Sequence, residues 1–177
     1  MKNILKVFII AAGFVLFFNA NSFALVDVAA WGGFVYNSND DDGFKGPQIG
    51  LKAHYNTSLV TLVDWGIGLY YQQSKFFYDD NSIDDLTRTS AGLDANLILS
   101  LPIIHPYLRG TWAFWDKVST DYWSDKEKFK AFGLGGGVEL TVFPFVRLFS
   151  EYMYEKSKHD DLKFTSKAIN LGLKLDF

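Results

Sequence analysis

Large apolar residues alternate with polar or small residues over most of the chain beyond residue 25. The alternation is clearest in "INLGLKLDF" (Ile169–Phe177), where Asn, Gly, Lys and Asp separate the apolar side chains. A period of two residues is that of a β-strand with one apolar face, and no stretch keeps a helical period over three turns. The pattern predicts eight strands, at Val26–Tyr36, Gln48–Tyr55, Val60–Phe76, Thr87–Leu99, Tyr107–Asp116, Phe132–Val142, Val146–Glu155 and Ile169–Phe177. The first strand is apolar on both faces, so its orientation stays open.

The predicted connections alternate in length. Long, charged connections are expected at 37–43, 78–86, 117–128 and 157–163, and short links at 56–59, 101–105 and 143–145. Long loops at one end and tight turns at the other describe an up-and-down antiparallel meander. Eight such strands are expected to close into a barrel, because an open sheet would leave two unpaired edges.

The two faces of the strands differ in a way that favours a barrel in a membrane. The expected polar face carries charges of both signs, at Lys52, Arg88, Arg109, Arg147, Lys174, Asp64, Asp94, Glu139 and Glu151. Glycines share this face at positions 50, 66, 68, 92, 133, 135, 137 and 172, where they make room for long side chains in a narrow interior. The apolar runs span about 9–11 residues, the length a tilted strand needs to cross the hydrocarbon. The alternative is a soluble barrel with an apolar interior.

Aromatic residues concentrate near the ends of the predicted strands. Tyr55, Phe143, Phe145 and Phe177 lie by the short links, and Phe76, Phe77, Trp112, Trp115, Tyr152, Tyr154 and Phe164 lie towards the long loops. Two aromatic girdles are typical of the two headgroup zones of a membrane. The fold class predicted is therefore all-β, an eight-stranded antiparallel up-and-down transmembrane β-barrel.

The first 24 residues have the layout of a secretory signal peptide. Lys2 and Lys6 precede the apolar run Val7–Phe18, and Ser22 and Ala24 suit a cleavage site. The alternative is an uncleaved anchor, but twelve apolar residues fall short of the ~20 that a spanning helix needs. The predicted domains are a signal peptide over 1–24 and an outer-membrane barrel over 25–177.

Composition narrows the chemistry. The chain has no Cys, and its 17 Lys and Arg against 20 Asp and Glu argue against nucleic-acid binding, which needs a basic footprint. Of the three histidines, His54 is expected to face inward, His105 to lie in a short link and His159 in a loop. No Ser–His–acid set lies at matching depth, so we predict no enzyme, no catalytic residue, no cofactor and no metal site.

The acidic loop segments "NDDDG" (39–43) and "DDNSIDD" (79–85) are interpreted as solvated charge, with divalent-cation binding as the alternative.

Several segments resemble the small outer-membrane β-barrels of Gram-negative bacteria, which include the OmpA-like membrane domain, the OmpX/Ail proteins and the opacity-type proteins. The terminal Leu171, Leu173, Leu175 and Phe177 look like the family's C-terminal signature, which the resemblance implies is read by the barrel-assembly machinery. "LPIIHPYLRG" resembles a turn-and-strand entry of these barrels, and "GLGGGVEL" followed by "VRLFSEYMY" resembles their penultimate hairpin. The resemblance implies a monomer in the outer membrane, in contact with its lipid and lipopolysaccharide.

The charged interior is the predicted functional feature. The residues assigned to a charge network are Lys52, Asp64, Asp94, Arg109, Glu139, Glu151 and Lys174, with Arg109, Glu139, Glu151 and Lys174 at its centre. Five basic and four acidic inward groups would nearly cancel, and unpaired buried charges cost several kcal/mol each. We interpret the network as a structural plug, with a role in envelope integrity, adhesion or evasion of host defence, and no identified host ligand. The alternatives are a narrow ion or water channel and a lipid-modifying enzyme.

Overall fold

The computed structural model describes residues 25–38, 44–60, 62–77, 86–120, 127–128, 130–159 and 162–177. The predicted signal peptide and both acidic loop segments lie outside these ranges. The described chain forms eight long strands: β1 (Val26–Ser38), β2 (Phe44–Val60), β3 (Val63–Phe76), β4 (Leu86–Leu99), β5 (Ile104–Thr120), β6 (Lys130–Phe143), β7 (Val146–His159) and β8 (Leu162–Asp176). A two-residue strand, Glu127–Lys128, pairs with β5. In the described part of the chain, no helix has the length and apolar character needed to cross a membrane.

Each long strand runs antiparallel to its neighbour in the chain, and β1 also pairs with β8. In that last pairing Asp27 lies opposite Asp176 and Gly32 lies opposite Leu171. The sheet therefore closes on itself, and the predicted all-β, eight-stranded antiparallel barrel is confirmed.

The strands are longer than predicted, chiefly towards the long connections. β7 continues to His159 and β8 begins at Leu162 instead of Ile169, so the prediction of a long connection at 157–163 is wrong and only residues 160–161 separate the two strands. β5 begins at Ile104, which places His105 in a strand and not in a link. The first short link lies at residues 61–62, because β2 continues to Val60 through the segment expected to turn. Strand ends that leave the apolar layer are polar on both faces, so alternation disappears there while the backbone hydrogen bonds continue.

The apolar side chains point outward and the polar ones inward. Leu171 is 65% exposed on the outer wall, whereas Lys174 of the same strand is 2% exposed in the interior. The signature residues Leu171 and Leu173 face outward, Leu175 is half-buried, and Phe177 is exposed beside the short links. The structure also settles the orientation of β1, in which Trp31 is buried inside and Phe34 is exposed outside. The predicted inversion, an apolar exterior around a polar interior, is that of a membrane barrel.

The aromatic girdles are present, with one wrong assignment. One set of aromatic side chains is exposed at the end of the barrel with the short links: Tyr55, Phe143, Phe145 and Phe177. A second set is exposed on the outer wall nearer the long connections: Phe77, Trp112, Trp115 and Tyr152. Phe76, in contrast, is buried in the interior against Val35, Met153 and Ala168. The period of two along β3 requires this, because Tyr71 and Phe77 both face outward and Phe76 lies an odd number of residues from each. The side chain of Phe164 lies outside the described residues.

Candidate functional site

The barrel interior is divided into layers between two ends. We call the end with links 61–62, 100–103 and 144–145 the turn end, and the opposite end, which carries the long connections, the loop end. The middle layer is built around Arg109 of β5 and Glu151 of β7. Arg109 donates from Nη1 to Glu151 Oε1 at 2.6 Å and from Nε to Asp94 Oδ2 at 2.8 Å. All three side chains are buried, so one guanidinium holds carboxylates from two different strands.

Glu151 receives further donors from around the barrel wall. Tyr107 Oη donates to its Oε2 at 3.0 Å, Asn170 Nδ2 to its Oε1 at 3.2 Å, and Lys52 Nζ lies 3.3 Å from Oε2. The contact with Asn170 continues to Gln48, whose Nε2 donates to Asn170 Oδ1 at 2.5 Å. One carboxylate thus connects strands β2, β5 and β8 to β7.

Three aromatic rings enclose the ammonium group of Lys52. Its Nζ lies 4.7 Å from the ring centre of Phe149, 5.4 Å from that of Tyr107 and 5.8 Å from that of Trp31. The guanidinium of Arg109 lies 5.0 Å from the Trp31 ring. Cations over ring faces gain attraction that strengthens when both partners are desolvated. The middle layer is therefore filled by rings and paired charges together.

Two glycines make space for these rings. A Cβ at Gly50 would lie 2.2 Å from Cζ2 of Trp31, and a Cβ at Gly172 would lie 2.4 Å from Cζ of Phe149. Neither position has room for a larger side chain unless the ring moves. The inward glycines that the sequence suggested serve here to accommodate aromatic rings as well as long charged side chains.

A histidine joins the middle layer to the turn end. His54 Nδ1 lies 2.8 Å from Asp27 Oδ1, and its Nε2 lies 3.1 Å from Asp94 Oδ1. Asn56 Nδ2 donates to the second oxygen of Asp27 at 2.8 Å. Both ring nitrogens of His54 therefore lie within ion-pair distance of a carboxylate, and Nδ1 is the nitrogen that is hydrogen-bonded.

The turn end holds a second group of ion pairs. Lys174 Nζ lies 2.5 Å from Glu139 Oε2 and 3.7 Å from Asp27 Oδ2. Arg147 joins Glu139 at 3.0 Å and Asp176 at 2.7 Å. Because Asp27 contacts both His54 and Lys174, the turn-end group is continuous with the middle layer.

The loop end holds a third group beside an apolar cluster. Arg88 donates from Nε and Nη2 to the two oxygens of Asp116, at 2.8 and 2.6 Å, in a bidentate pair. Its Nη2 also contacts Glu155 and donates to Ser157 Oγ at 2.7 Å. The apolar cluster of Val35, Phe76, Met153 and Ala168, packed against Leu86, fills interior space at this end.

Six of the seven predicted network residues lie in these layers, namely Lys52, Asp94, Arg109, Glu139, Glu151 and Lys174. Asp64 lies apart from them, half-buried at the turn end, where it accepts hydrogen bonds from Ser58 and Ser100. The four residues expected at the centre of the network lie in two layers. Arg109 pairs with Glu151 in the middle layer, whereas Lys174 pairs with Glu139 at the turn end.

The sequence interpretation missed part of the acidic side of the network. The structure adds Asp27, Asp116, Glu155 and Asp176, so carboxylates outnumber the Lys and Arg side chains of the interior. Asp27 was missed because β1 could not be oriented, and the other three stand near the ends of predicted strands. His54 was expected to face inward, and its two carboxylate partners supply the reason that it does.

These observations define a transmembrane β-barrel whose described interior is packed with paired charges and rings. No protein-family model matches the chain, and no curated protein matches it in sequence. The relationship to known proteins is therefore visible in the fold.

Several solved structures are similar to this barrel, and they include the following two. Neisserial surface protein A superposes with a TM-score of 0.69 at 19% identity, covering 86% of this chain and 97% of its own. Ail, the attachment invasion locus protein of Yersinia pestis, superposes with a TM-score of 0.53 at 17% identity, covering 84% of this chain and 98% of its own. Both are small outer-membrane barrels. The predicted resemblance to that class is confirmed at the level of the fold.

Proposed function

We propose that this protein is exported, inserts into the outer membrane and serves there as a closed barrel with a structural or surface-interaction role. The observation that carries the proposal is the inverted polarity of the barrel, with exposed leucines outside and buried ion pairs inside. Export by cleavage after Ala24 belongs to the same proposal. The turn end would face the periplasm and the long connections the outside.

The interior contacts support a plug in preference to a channel. In the middle layer, Arg109, Lys52 and Glu151 bridge opposite walls, and the rings of Trp31 and Phe149 fill the space beside them. An eight-stranded barrel has an interior only just wide enough for side chains. Moving an ion past this layer would require breaking buried ion pairs that cost several kcal/mol each to leave unpaired.

The refolded protein in planar lipid bilayers should therefore show no stable conductance steps under an applied voltage. Trp31→Ala combined with Phe149→Ala removes two rings from the middle layer and serves as the matched variant, which should conduct if the assay can detect a path. Regular single-channel steps from the unmodified protein would contradict the plug and favour the channel.

Catalysis is not part of this proposal. His54 is held between Asp27 and Asp94 in the interior, away from the lipid-facing wall where a lipid substrate would lie. His105 is buried at the turn end, with Nε2 2.8 Å from Thr141 Oγ1. The side chain of His159 lies outside the described residues.

A role at the cell surface is supported by the asymmetry of the barrel, since the three longer connections, which follow β1, β3 and β5, all leave it at one end. The two similar barrels are called a surface protein and an attachment invasion protein. A strain that lacks this protein should adhere less to host cells or become more sensitive to detergents and serum. A strain unchanged in all three assays would contradict the proposed role.

A further inference from the structure

Exposed lysines gather on the outer wall at the loop end of three neighbouring strands. Lys130 lies on β6, Lys156 and Lys158 lie on β7, and Lys167 lies on β8. Lys130 and Lys158 are direct cross-strand partners, and Lys156 is two residues from Lys158 on the same face. Lys167 pairs with Tyr154, the next outward residue of β7. We call these four residues the lysine patch.

Like charges that face each other across two strands destabilise a sheet unless an anion neutralises them. The carboxylates of this region do not do so from the wall, since Glu155 and Asp116 point inward and bind Arg88. Among the residues whose side chains the structure describes, no Asp or Glu faces outward at the loop end. The arrangement therefore leaves positive charge concentrated on the outer wall.

The surroundings of the patch identify the kind of anion. Directly below it on the same wall lie exposed apolar and aromatic side chains, Phe132, Tyr152 and Ile169. Tyr36 and Tyr154 flank Lys167 across the strands, and Lys156 Nζ lies 5.6 Å from the Tyr154 ring. Lysines interleaved with aromatic rings, above an apolar wall, lie at the depth of lipid headgroups.

We propose that the lysine patch binds the phosphate groups of a phosphorylated lipid in the leaflet at the loop end. This inference rests on the membrane location proposed above. The ammonium groups would bind phosphate, and the acyl chains would lie along the apolar wall beneath them. The turn end has no counterpart, because the outward residues described there are uncharged, as at Tyr55, Leu99, Val142 and Leu148. The patch would thus recognise a lipid of one leaflet only.

The test uses the protein inserted in phosphatidylcholine nanodiscs, with bisphosphorylated lipid A as the probe and native mass spectrometry as the readout. Each lysine near an anionic surface contributes about fivefold to binding, so the double variant K130Q/K158Q should bind about thirtyfold more weakly. The variant K75Q removes one lysine from the outer wall of β3, outside the patch, and should weaken binding by no more than about fivefold, the effect of a single lysine. Dephosphorylated lipid A should bind weakly to all three, and inorganic phosphate should not displace lipid A at millimolar concentration.

The outcomes separate this inference from the function on which it rests. Equal binding by K130Q/K158Q and K75Q, or undiminished binding of the dephosphorylated lipid, would contradict phosphate binding by the lysine patch. Neither result would contradict the insertion of the barrel. Displacement by inorganic phosphate would overturn the lipid as the ligand. A protein that never inserted into the bilayer would overturn both the location and the patch.

Discussion

Arg109→Ala should destabilise the barrel by about 3–5 kcal/mol, the cost of leaving a buried charge without its partner. Arg109 is the cation that Asp94 and Glu151 share, and both carboxylates stay buried after it is removed. The measurement is the free energy of unfolding in urea of the protein refolded in lipid vesicles, followed by tryptophan fluorescence.

Two variants make the result specific to the network. Lys130→Ala removes an exposed charge and should change the unfolding free energy by less than about 1 kcal/mol. Combining Arg109→Ala with Glu151→Gln should cost less than the sum of the single changes, because the second removes one of the charges that the first leaves unpaired. An unchanged unfolding midpoint for Arg109→Ala would contradict the interpretation of the interior as a structural plug.

Leu171→Arg should destabilise the barrel by about 2–4 kcal/mol, the cost of an arginine on the lipid face near the middle of the bilayer. Leu171 is 65% exposed on the outer wall and lies between Ile169 and Leu173 on the same face of β8. In a water-soluble barrel the same change at so exposed a site would cost little. The measurement is again the unfolding free energy in lipid vesicles.

Lys167→Arg is the matched control, since it keeps the charge on the same strand at the loop end. It should be neutral to within about 0.5 kcal/mol, as for a surface substitution. If Leu171→Arg were equally neutral, the outer wall would face water, and the proposed membrane location would be contradicted.

The face assignment was predictable because lipid and the packed interior demand opposite polarity on successive residues. Alternation placed Leu171 and Lys174 on opposite faces, and the charges, glycines and aromatic girdles correctly indicated which face lies outside. Alternation gave no assignment for Trp31 and Phe149 and a wrong one for Phe76, because the inner face is itself apolar at these positions. The rings of Trp31 and Phe149 fit because Gly50 and Gly172 lie opposite them on neighbouring strands, and cross-strand register is not readable from one sequence.

The network was predictable as a set of inward charges and not as a set of pairs. Lys174 and Glu139 are partners because their strands lie on either side of β7, and barrel curvature brings them together. Asp64 has the right residue type and an inward position, yet it stands near the start of β3, opposite Ser58 and beside the register shift between Ser58 and Val60. At that height the nearest donors are hydroxyl groups, so Asp64 stays outside the network.

The closure of the barrel between β1 and β8 has a kinetic consequence. Bonds formed across it join residues far apart in the chain, such as Gln48 and Asn170, which are 122 residues apart. Chains dominated by such distant contacts fold slowly, since the entropy of closing a long loop is lost before the contacts form. The contacts that Gln48 and Lys52 make with Asn170 and Glu151 depend on the last strand meeting the first. These contacts therefore act mainly by slowing the opening of the finished barrel, and they contribute little to how fast it forms.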